Sequence, residues 1–344
     1  MAQALSGAKQ ARCLSKTVNI IGFPINSGQP KKGTELGPDT IRASGLKDKI
    51  LRKGLSIHDS GDLELELSSM NHSTTSQAKN AAHVSASCQL LSQTVAKSVC
   101  QFDKTVILGG DHSLGLGSIH GHAMAGLSAG GIAVLWIDAH AGELFSFPSN
   151  KKCQADELIP SPRVDINTES TSRSGNMHGM PVSFILKGLQ TLHSFQWMSP
   201  VIHASNFAFI GLRDVENVEQ DLIKQVSPEI TVFTSAEVRK EGAGSVLMKA
   251  LERINPNNDL PIHVSFDIDV IDPKIARSTG TAVPNGLVPD DAYIFGEIVS
   301  KTGRLRVMDM VEVNPLIGTE REAKITAFVA SEIISSFLQL PAAQ

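Results

Sequence analysis

Short apolar runs recur along the chain, separated by longer stretches in which apolar residues return at helical spacing. The runs that predict buried strands are Val18–Phe23, Thr105–Leu108, Gly131–Ile137, Phe207–Leu212, Ile230–Phe233, Pro261–Phe266 and Leu305–Met310. Helices are predicted to begin near Pro38, to cover Ser76–Cys100, and to follow Ser113 and Thr319, while the polar stretch 58–75 predicts a loop. Because strands that alternate with helices pair in parallel, we expect a single-domain, three-layer α/β fold: a mostly parallel sheet with helices on both faces.

Aspartate and histidine residues follow three of these runs at the point where each strand should end. The segments are Gly-Gly-Asp-His-Ser at 109–113, Asp-Ala-His at 138–140 and Ser-Phe-Asp-Ile-Asp-Val-Ile-Asp-Pro at 265–273. Each motif alone is also typical of a turn or a helix cap. The carboxyl ends of parallel strands meet at one edge of a sheet, where such folds bind ligands. The combination therefore predicts a metal site, and a mixed imidazole and carboxylate set suits Mn²⁺.

Composition narrows the class of partner. The 344 residues are 41% hydrophobic and 19% charged, with a formal net charge of −4. We therefore expect a small-molecule substrate, and neither nucleic acid nor a membrane as partner, because the chain has no long basic run and no apolar stretch of membrane-spanning length. The four cysteines show no C-x-x-C pair, which argues against a disulfide framework or a cysteine-ligated zinc.

The expected organisation is one large domain with short ends. We predict a flexible N-terminal segment over 1–17, the α/β domain over 18–338 and a short tail over 339–344. The predicted location is the cytoplasm. A mitochondrial location is the alternative, because Lys9, Arg12 and Lys16 lie in an N-terminal segment without acidic residues.

Ten motifs in order resemble arginase of the ureohydrolase family, over about 18 to 338. They begin at Gly28 (Gly-Gln-Pro), Glu35 (Glu-Leu-Gly-Pro), Gly109 (Gly-Gly-Asp-His-Ser), Trp136 (Trp-Ile-Asp-Ala-His-Ala), Asp165 (Asp-Ile-Asn-Thr), Ser174 (Ser-Gly-Asn-Met-His-Gly), Ile210 (Ile-Gly-Leu-Arg-Asp-Val), Ser265 (Ser-Phe-Asp-Ile-Asp), Thr279 (Thr-Gly-Thr) and Glu312 (Glu-Val-Asn-Pro). The resemblance implies an arginase/ureohydrolase-like fold and two Mn²⁺ per subunit. The implied ligands are His112, Asp138, His140, Asp165, Asp267 and Asp269, with Asp138 and Asp267 bridging the two ions.

The chain departs from the family pattern inside its metal motif. Family members read Asp-Ala-His-x-Asp-Ile-Asn-Thr, whereas here residues 142–164, 23 in number, separate Ala141 from Asp165. We interpret them as a surface insertion, and two origins stay open: a retained intron or alternative exon, and a lineage-specific surface loop. Closing a loop of this length costs about 3 kcal/mol plus a constant, which a large core tolerates. Catalytic side chains tolerate displacements of only about 0.5 Å. We therefore expect the insertion to reduce activity more than it reduces the stability of the fold.

The resemblance also assigns the residues that handle the substrate. Asp165, His178 and Glu312 are the implied catalytic residues: Asp165 accepts a hydrogen bond from the nucleophile, His178 transfers protons and Glu312 orients the guanidinium. The implied substrate-binding residues are Asn167, Ser174, Asn176, Glu216, Glu219 and Thr281. Glu216 replaces the aspartate of many arginases. Structural roles, such as a salt bridge for Glu312 or a turn for Thr281, are the alternatives.

The implied function is hydrolysis of L-arginine to L-ornithine and urea, as in arginine metabolism and the urea cycle. Two alternatives stay open: an agmatinase or another ureohydrolase, which should ignore the α-carboxylate, and a non-catalytic arginase-like protein disabled by its insertion. The family resemblance further implies a homo-oligomer, commonly a trimer.

Overall fold

The computed structural model describes residues 16–65, 78–140, 175–187, 193–213 and 229–339. Within them the strands are β1 (Thr17–Phe23), β2 (Ser56–Asp62), β3 (Lys104–Gly109), β4 (Ala133–Ile137), β5 (Phe207–Leu212), β6 (Thr231–Thr234), β7 (Ile262–Asp267) and β8 (Leu305–Val311). The helices are α1 (Gly37–Ala43), α2 (Leu46–Arg52), α3 (Ala81–Gln101), α4 (Gly115–Met124), α5 (Pro181–Ile185), α6 (Ser235–Glu241), α7 (Ala243–Ile254), α8 (Pro289–Lys301) and α9 (Glu320–Phe337).

The strands form one sheet in the order β2-β1-β3-β8-β7-β4-β5-β6, and every pair is parallel. This confirms the predicted α/β class. Strands β3, β8, β7 and β4 occupy the centre, so their backbones are hydrogen-bonded on both sides and their carboxyl ends lie side by side. No helix among the described residues is both long and apolar enough to cross a membrane.

Side chains alternate between the two faces of the sheet and build a core on each. On β7, Ile262, Val264 and Phe266 pack on the face that α7, α8 and α9 cover. The opposite face packs against α3 and α4, and there Val307 and Val311 of β8 join its apolar core. Since both faces are covered, the strands read as continuous apolar runs, which is why the sequence predicts most of them correctly.

Two predicted boundaries are wrong. The predicted polar loop at 58–75 begins inside β2, an edge strand whose side chains are mostly exposed and which pairs with β1 on one side only. Arg42 of α1 forms ion pairs with Asp59 and Asp62 there, so the strand lacks the apolar pattern of a buried one. Helix α3 begins at Ala81 rather than Ser76, after Asn80 in the left-handed backbone conformation, with φ 55°.

We expect Gly296→Ala to destabilise the protein by about 1–3 kcal/mol, because α8 and α9 approach each other too closely for a β-carbon there. An added Cβ would lie 2.0 Å from Ser336 Oγ and 2.7 Å from its backbone carbonyl carbon. Urea unfolding measures the change. The matched control is Gly244→Ala in α7, whose Cβ meets nothing closer than 3.6 Å and whose effect should stay within about 1 kcal/mol. Equal destabilisation by both variants would contradict this account of helix packing.

Candidate metal centre

The four central strands deliver polar side chains to one edge of the sheet. His112 follows β3, Asp138 follows β4, Asp267 ends β7 and Glu312 follows β8. Because the four strands are parallel neighbours, residues far apart in the chain meet at one point. Asp269 lies in the short turn after β7, and His140 lies two residues beyond Asp138.

Five side chains form two adjoining groups that share Asp138. The first contains His112, Asp138 and Asp267; the second contains Asp138, His140 and Asp269. His112 Nδ1 lies 3.1 Å from Asp138 Oδ2 and 3.2 Å from Asp267 Oδ2. His140 Nδ1 lies 3.0 Å from Asp269 Oδ2 and 3.6 Å from Asp138 Oδ1. Both imidazoles thus direct the same ring nitrogen toward the shared carboxylate.

Neighbouring donors fix the orientation of these carboxylates. Trp136, two residues before Asp138, donates from Nε1 to Asp138 Oδ2 at 2.9 Å, and its ring stacks on His112 with centroids 4.0 Å apart. The hydroxyl of Thr281 donates to Asp269 Oδ2 at 2.7 Å. The backbone N–H of His140 donates to Asp138 Oδ1 at 2.8 Å. The ligand atoms are therefore held by contacts outside the two groups as well as within them.

The buried carboxylates perturb the pKa values of the group. Burial, with the charges of Asp269 and Asp138, holds the pKa of Asp267 well above its usual range. Burial alone would raise the pKa of Asp138, but hydrogen bonds from His112 and His140 outweigh it and lower that pKa. Burial alone would also lower the pKa of His112, but hydrogen bonds to Asp138 and Asp267 raise it to about 10. These opposing shifts reflect a concentration of buried negative charge that a cation can offset.

This donor set fits a metal ion. Each group contains one imidazole and two carboxylates whose ligand atoms lie within 4.8 Å of one another, and the three aspartates are buried. Carboxylates and imidazoles bind metal ions in their deprotonated forms, and a divalent cation would offset the negative charge of the three aspartates. Oxygen and imidazole ligands in this mixture are those that Mn²⁺ and similar first-row ions accept.

Glu312 and His178 lie beside the two groups. Glu312 Oε1 accepts a hydrogen bond from the backbone N–H of His112 at 2.9 Å and lies 3.5 Å from His178 Nδ1. Glu312 has φ 63°, a left-handed conformation that costs a non-glycine residue free energy and that often accompanies function. The backbone N–H of His178 donates to Gly28 O, and the Gly28 N–H donates to Asp111 Oδ2 at 2.8 Å.

The structure brings together most of the predicted site residues that it describes. His112, Asp138, His140, Asp267, Asp269, Thr281, Glu312 and His178 lie within this connected arrangement. Asn176 is largely buried two residues before His178, at the start of the same short turn. Asp165, Asn167, Ser174, Glu216, Glu219 and the predicted insertion 142–164 lie outside the described residues.

Sequence reasoning misses three residues that support the site. The apolar run places Trp136 only in a buried strand, although period-two alternation puts it on the same face as Asp138. Asp111 anchors Gly28, and nothing in its sequence neighbourhood indicates a partner 83 residues away. The guanidinium of Arg213 donates to the backbone oxygens of Asp269, Val270 and Val283 and so holds the loop that carries Asp269 and Thr281.

Comparison with known proteins agrees with this arrangement. The chain matches the family model described as "Arginase family" over residues 16–143 and 164–339, and the unmatched interval lies within 142–164. It is 36% identical over 332 residues to "Arginase, non-hepatic 3" of Xenopus laevis, covering 95% of this chain and 84% of the relative.

Two solved structures show the same fold. The arginase of Bacillus caldovelox superposes with a TM-score of 0.78 at 27% identity, covering 95% of this chain and 99% of that one. The Entamoeba histolytica arginase in complex with L-ornithine superposes with a TM-score of 0.74 at 28% identity, covering 94% and 98%. The family-model match on both sides of the gap, together with 36% identity to a curated arginase over 95% of this chain, shows that the chain belongs to the arginase family.

Proposed function

We propose that the protein hydrolyses L-arginine to L-ornithine and urea. One observation carries the proposal: two ligand groups that share Asp138 lie beside the pair formed by Glu312 and His178. This places a candidate metal centre next to a carboxylate able to pair with a guanidinium and an imidazole able to transfer protons. Family membership and the ornithine complex of the Entamoeba relative support the choice of substrate.

The proposed cofactor is a pair of Mn²⁺ ions in each subunit. The residues that would hold the ions are His112, Asp138, His140, Asp165, Asp267 and Asp269. When bound, two such ions lower the pKa of water and so supply a nucleophile near neutral pH. The sharing of Asp138 between the two described groups supports a binuclear rather than a mononuclear centre.

The chain's own side chains are proposed to position the substrate and move protons. Glu312 pairs with the guanidinium and orients its central carbon. The oxygen of a water molecule adds to that carbon and becomes the oxygen of urea, the bond to the side-chain nitrogen breaks, and His178 delivers the proton that the departing amine of ornithine needs. Asp165 is proposed to accept a hydrogen bond from the attacking water. Thr281, whose hydroxyl donates to Asp269, is proposed to hydrogen-bond at the reacting centre.

Recognition of the amino-acid end distinguishes arginine from a simple guanidine. We propose that Asn167 and Ser174 contact the α-carboxylate directly and that Asn176 does so through water. Glu216 and Glu219 are proposed to contact the α-amino group, and the longer side chain at 216 alters that contact. Agmatine, the substrate of an agmatinase, has no α-carboxylate. A contribution of Asn167 to binding therefore distinguishes arginase activity from agmatinase activity.

The insertion is proposed to impair the centre rather than the fold. The family model fails to match 144–163 and resumes at 164, next to the proposed ligand Asp165. The position of Asp165 therefore depends on the path of the 23 additional residues between it and Ala141.

We propose also that the protein is a homo-oligomer, a trimer, and that it acts in the urea cycle. The proposed location is the cytoplasm, and a mitochondrial location stays the alternative.

Asp267→Asn should lower the bound Mn²⁺ per subunit and remove nearly all urea release from arginine, because it withdraws a negative ligand from the first group. Metal analysis and a urea assay on purified protein measure both. The control, Asp272→Asn, changes an aspartate in the same segment that caps a turn by accepting from the backbone of Lys274 and Gly286. It should retain the metal. Full activity in Asp267→Asn would end the proposal, and a parent protein without metal or urea release would favour the non-catalytic alternative.

Asn167→Ala should reduce kcat/KM for arginine much more than for agmatine, since only arginine presents an α-carboxylate. Losing one hydrogen bond to a charged group costs about 1.5–3 kcal/mol, or roughly 10- to 150-fold in kcat/KM. Steady-state kinetics on both substrates provide the comparison. An equal loss on both, or faster turnover of agmatine by the parent protein, would instead support agmatinase activity.

Deleting residues 142–164 should raise activity, because it joins Ala141 directly to Asp165 and restores the short spacing between ligands. A misplacement of about 1 Å can cost 10²-fold in rate, so the gain should approach that size. Manganese content and urea release are compared between full-length and shortened proteins. The matched control is the shortened protein with Asp165→Ala, which should lose the gain. Equal metal content and kcat in full-length and shortened proteins would refute the impairment.

A further inference from the structure

A buried polar cluster lies behind His112, on the opposite side of its ring from the candidate metal position. Its members are fully buried and come from α4, β7 and β8: Ser118, His122, His263, Ser265 and Asp309. The proposed reaction uses none of them. Buried polar groups are costly unless they are hydrogen-bonded, so the direction of each hydrogen bond in this cluster is informative.

One carboxylate oxygen of Asp309 accepts three hydrogen bonds. Its Oδ2 lies 2.6 Å from Ser118 Oγ, 3.0 Å from His263 Nε2 and 3.2 Å from Ser265 Oγ. A carboxylate can only accept, so each of these neighbours must donate to it. At the far end, His122 Nδ1 lies 3.3 Å from His263 Nδ1, so the second ring nitrogen of His263 also has a partner.

The direction of the Ser265 hydrogen bond determines the tautomer of His112. Ser265 Oγ lies 3.0 Å from His112 Nε2. A hydroxyl has one proton, and that of Ser265 is donated to Asp309, so Ser265 can only accept from His112. Nε2 of His112 therefore carries a hydrogen. In the neutral ring the lone pair is then on Nδ1, the atom that faces Asp138 and Asp267.

The stacked Trp136 cannot supply this selection. Its ring lies nearly parallel to that of His112, at an interplanar angle of 10°, and so restricts the plane of the imidazole. A 180° rotation about the Cβ–Cγ bond keeps that plane, exchanges Nδ1 with Cδ2 and Nε2 with Cε1, and leaves the stack almost unchanged. A directional hydrogen bond on the far edge distinguishes the two orientations, and Ser265 provides it.

We propose that Ser265 and Asp309 are positioning residues that fix the tautomer and ring orientation of His112, so that Nδ1 is presented to the metal. This inference rests on the proposed metal-binding function and extends it to two residues that are not themselves proposed ligands. Outer partners of this kind typically contribute 10- to 100-fold to metal affinity.

The test compares Ser265→Ala with Ser118→Ala in the full-length protein. Both serines are fully buried and both donate to the same oxygen of Asp309, but of the two only Ser265 has a hydrogen bond to His112. Mn²⁺ affinity is measured by equilibrium dialysis, and Co²⁺ is added separately so that its visible absorption reports the ligand geometry. Thermal unfolding of each metal-free variant measures any general loss of stability.

Ser265→Ala should weaken Mn²⁺ binding by about 10-fold or more and change the Co²⁺ spectrum, whereas Ser118→Ala should keep the parent's spectrum and stay within about twofold in affinity. If Ser265→Ala does not fold, Asp309→Ala serves as the second variant. It removes the acceptor of the Ser265 proton, so that the hydroxyl can donate to His112 Nε2 instead, and affinity and spectrum should change in the same way. Equal effects of the two serine variants, with equal spectra, would show a merely structural role and overturn the inference. A parent protein that binds neither ion would overturn the proposed function itself, so the two failures are distinguishable.

Discussion

Three buried aspartates share one small volume at the carboxyl edge of the sheet, and much of the site depends on the repulsion among them. Asp138, Asp267 and Asp269 are each buried, and the charges of the other two help to raise the pKa of Asp267. Like charges in a poorly solvated site are stable only when cations, protons or hydrogen-bond donors offset them. Part of that compensation comes from the two histidines, Trp136, Thr281 and nearby backbone N–H groups. A bound divalent cation would offset the rest of the negative charge.

The sheet topology makes this crowding possible. In the order β3-β8-β7-β4, the strands that carry His112, Glu312, Asp267 and Asp138 are consecutive neighbours, each paired on both sides. Their register is fixed over the whole sheet by apolar cores on its two faces. The unfavourable free energy of bringing the carboxylates together is therefore offset by burial far from the site, which is a general way of maintaining strained functional groups.

The sequence predicts the central part of this protein well and its periphery less well. Central strands such as β7 are buried on both faces, and the sequence predicts them from their apolar runs. Asp267, at the end of β7, and Asp269, just beyond it, are predicted as metal ligands. The edge strand β2 escapes prediction because exposed polar side chains carry no apolar signal. Contacts between distant positions are also out of reach: nothing near Ser265 indicates that its hydroxyl lies between His112 and Asp309. Alternation could have placed Ser265 on the face of Asp267, but not its hydrogen-bond direction.

The predicted insertion lies between the proposed ligands that the sheet holds and the remaining proposed ligand, Asp165. Asp138 and His140 precede it, and both are held by contacts that do not involve the inserted residues: Trp136 to Asp138, and Asp269 to His140. Strand β4 is paired with β7 on one side and β5 on the other, which fixes its register independently of the inserted residues. Added length after Ala141 therefore acts on the residues that come next, beginning with the route to Asp165. Five of the six proposed ligands depend on the sheet and its adjoining turns, and the sixth alone depends on the inserted path.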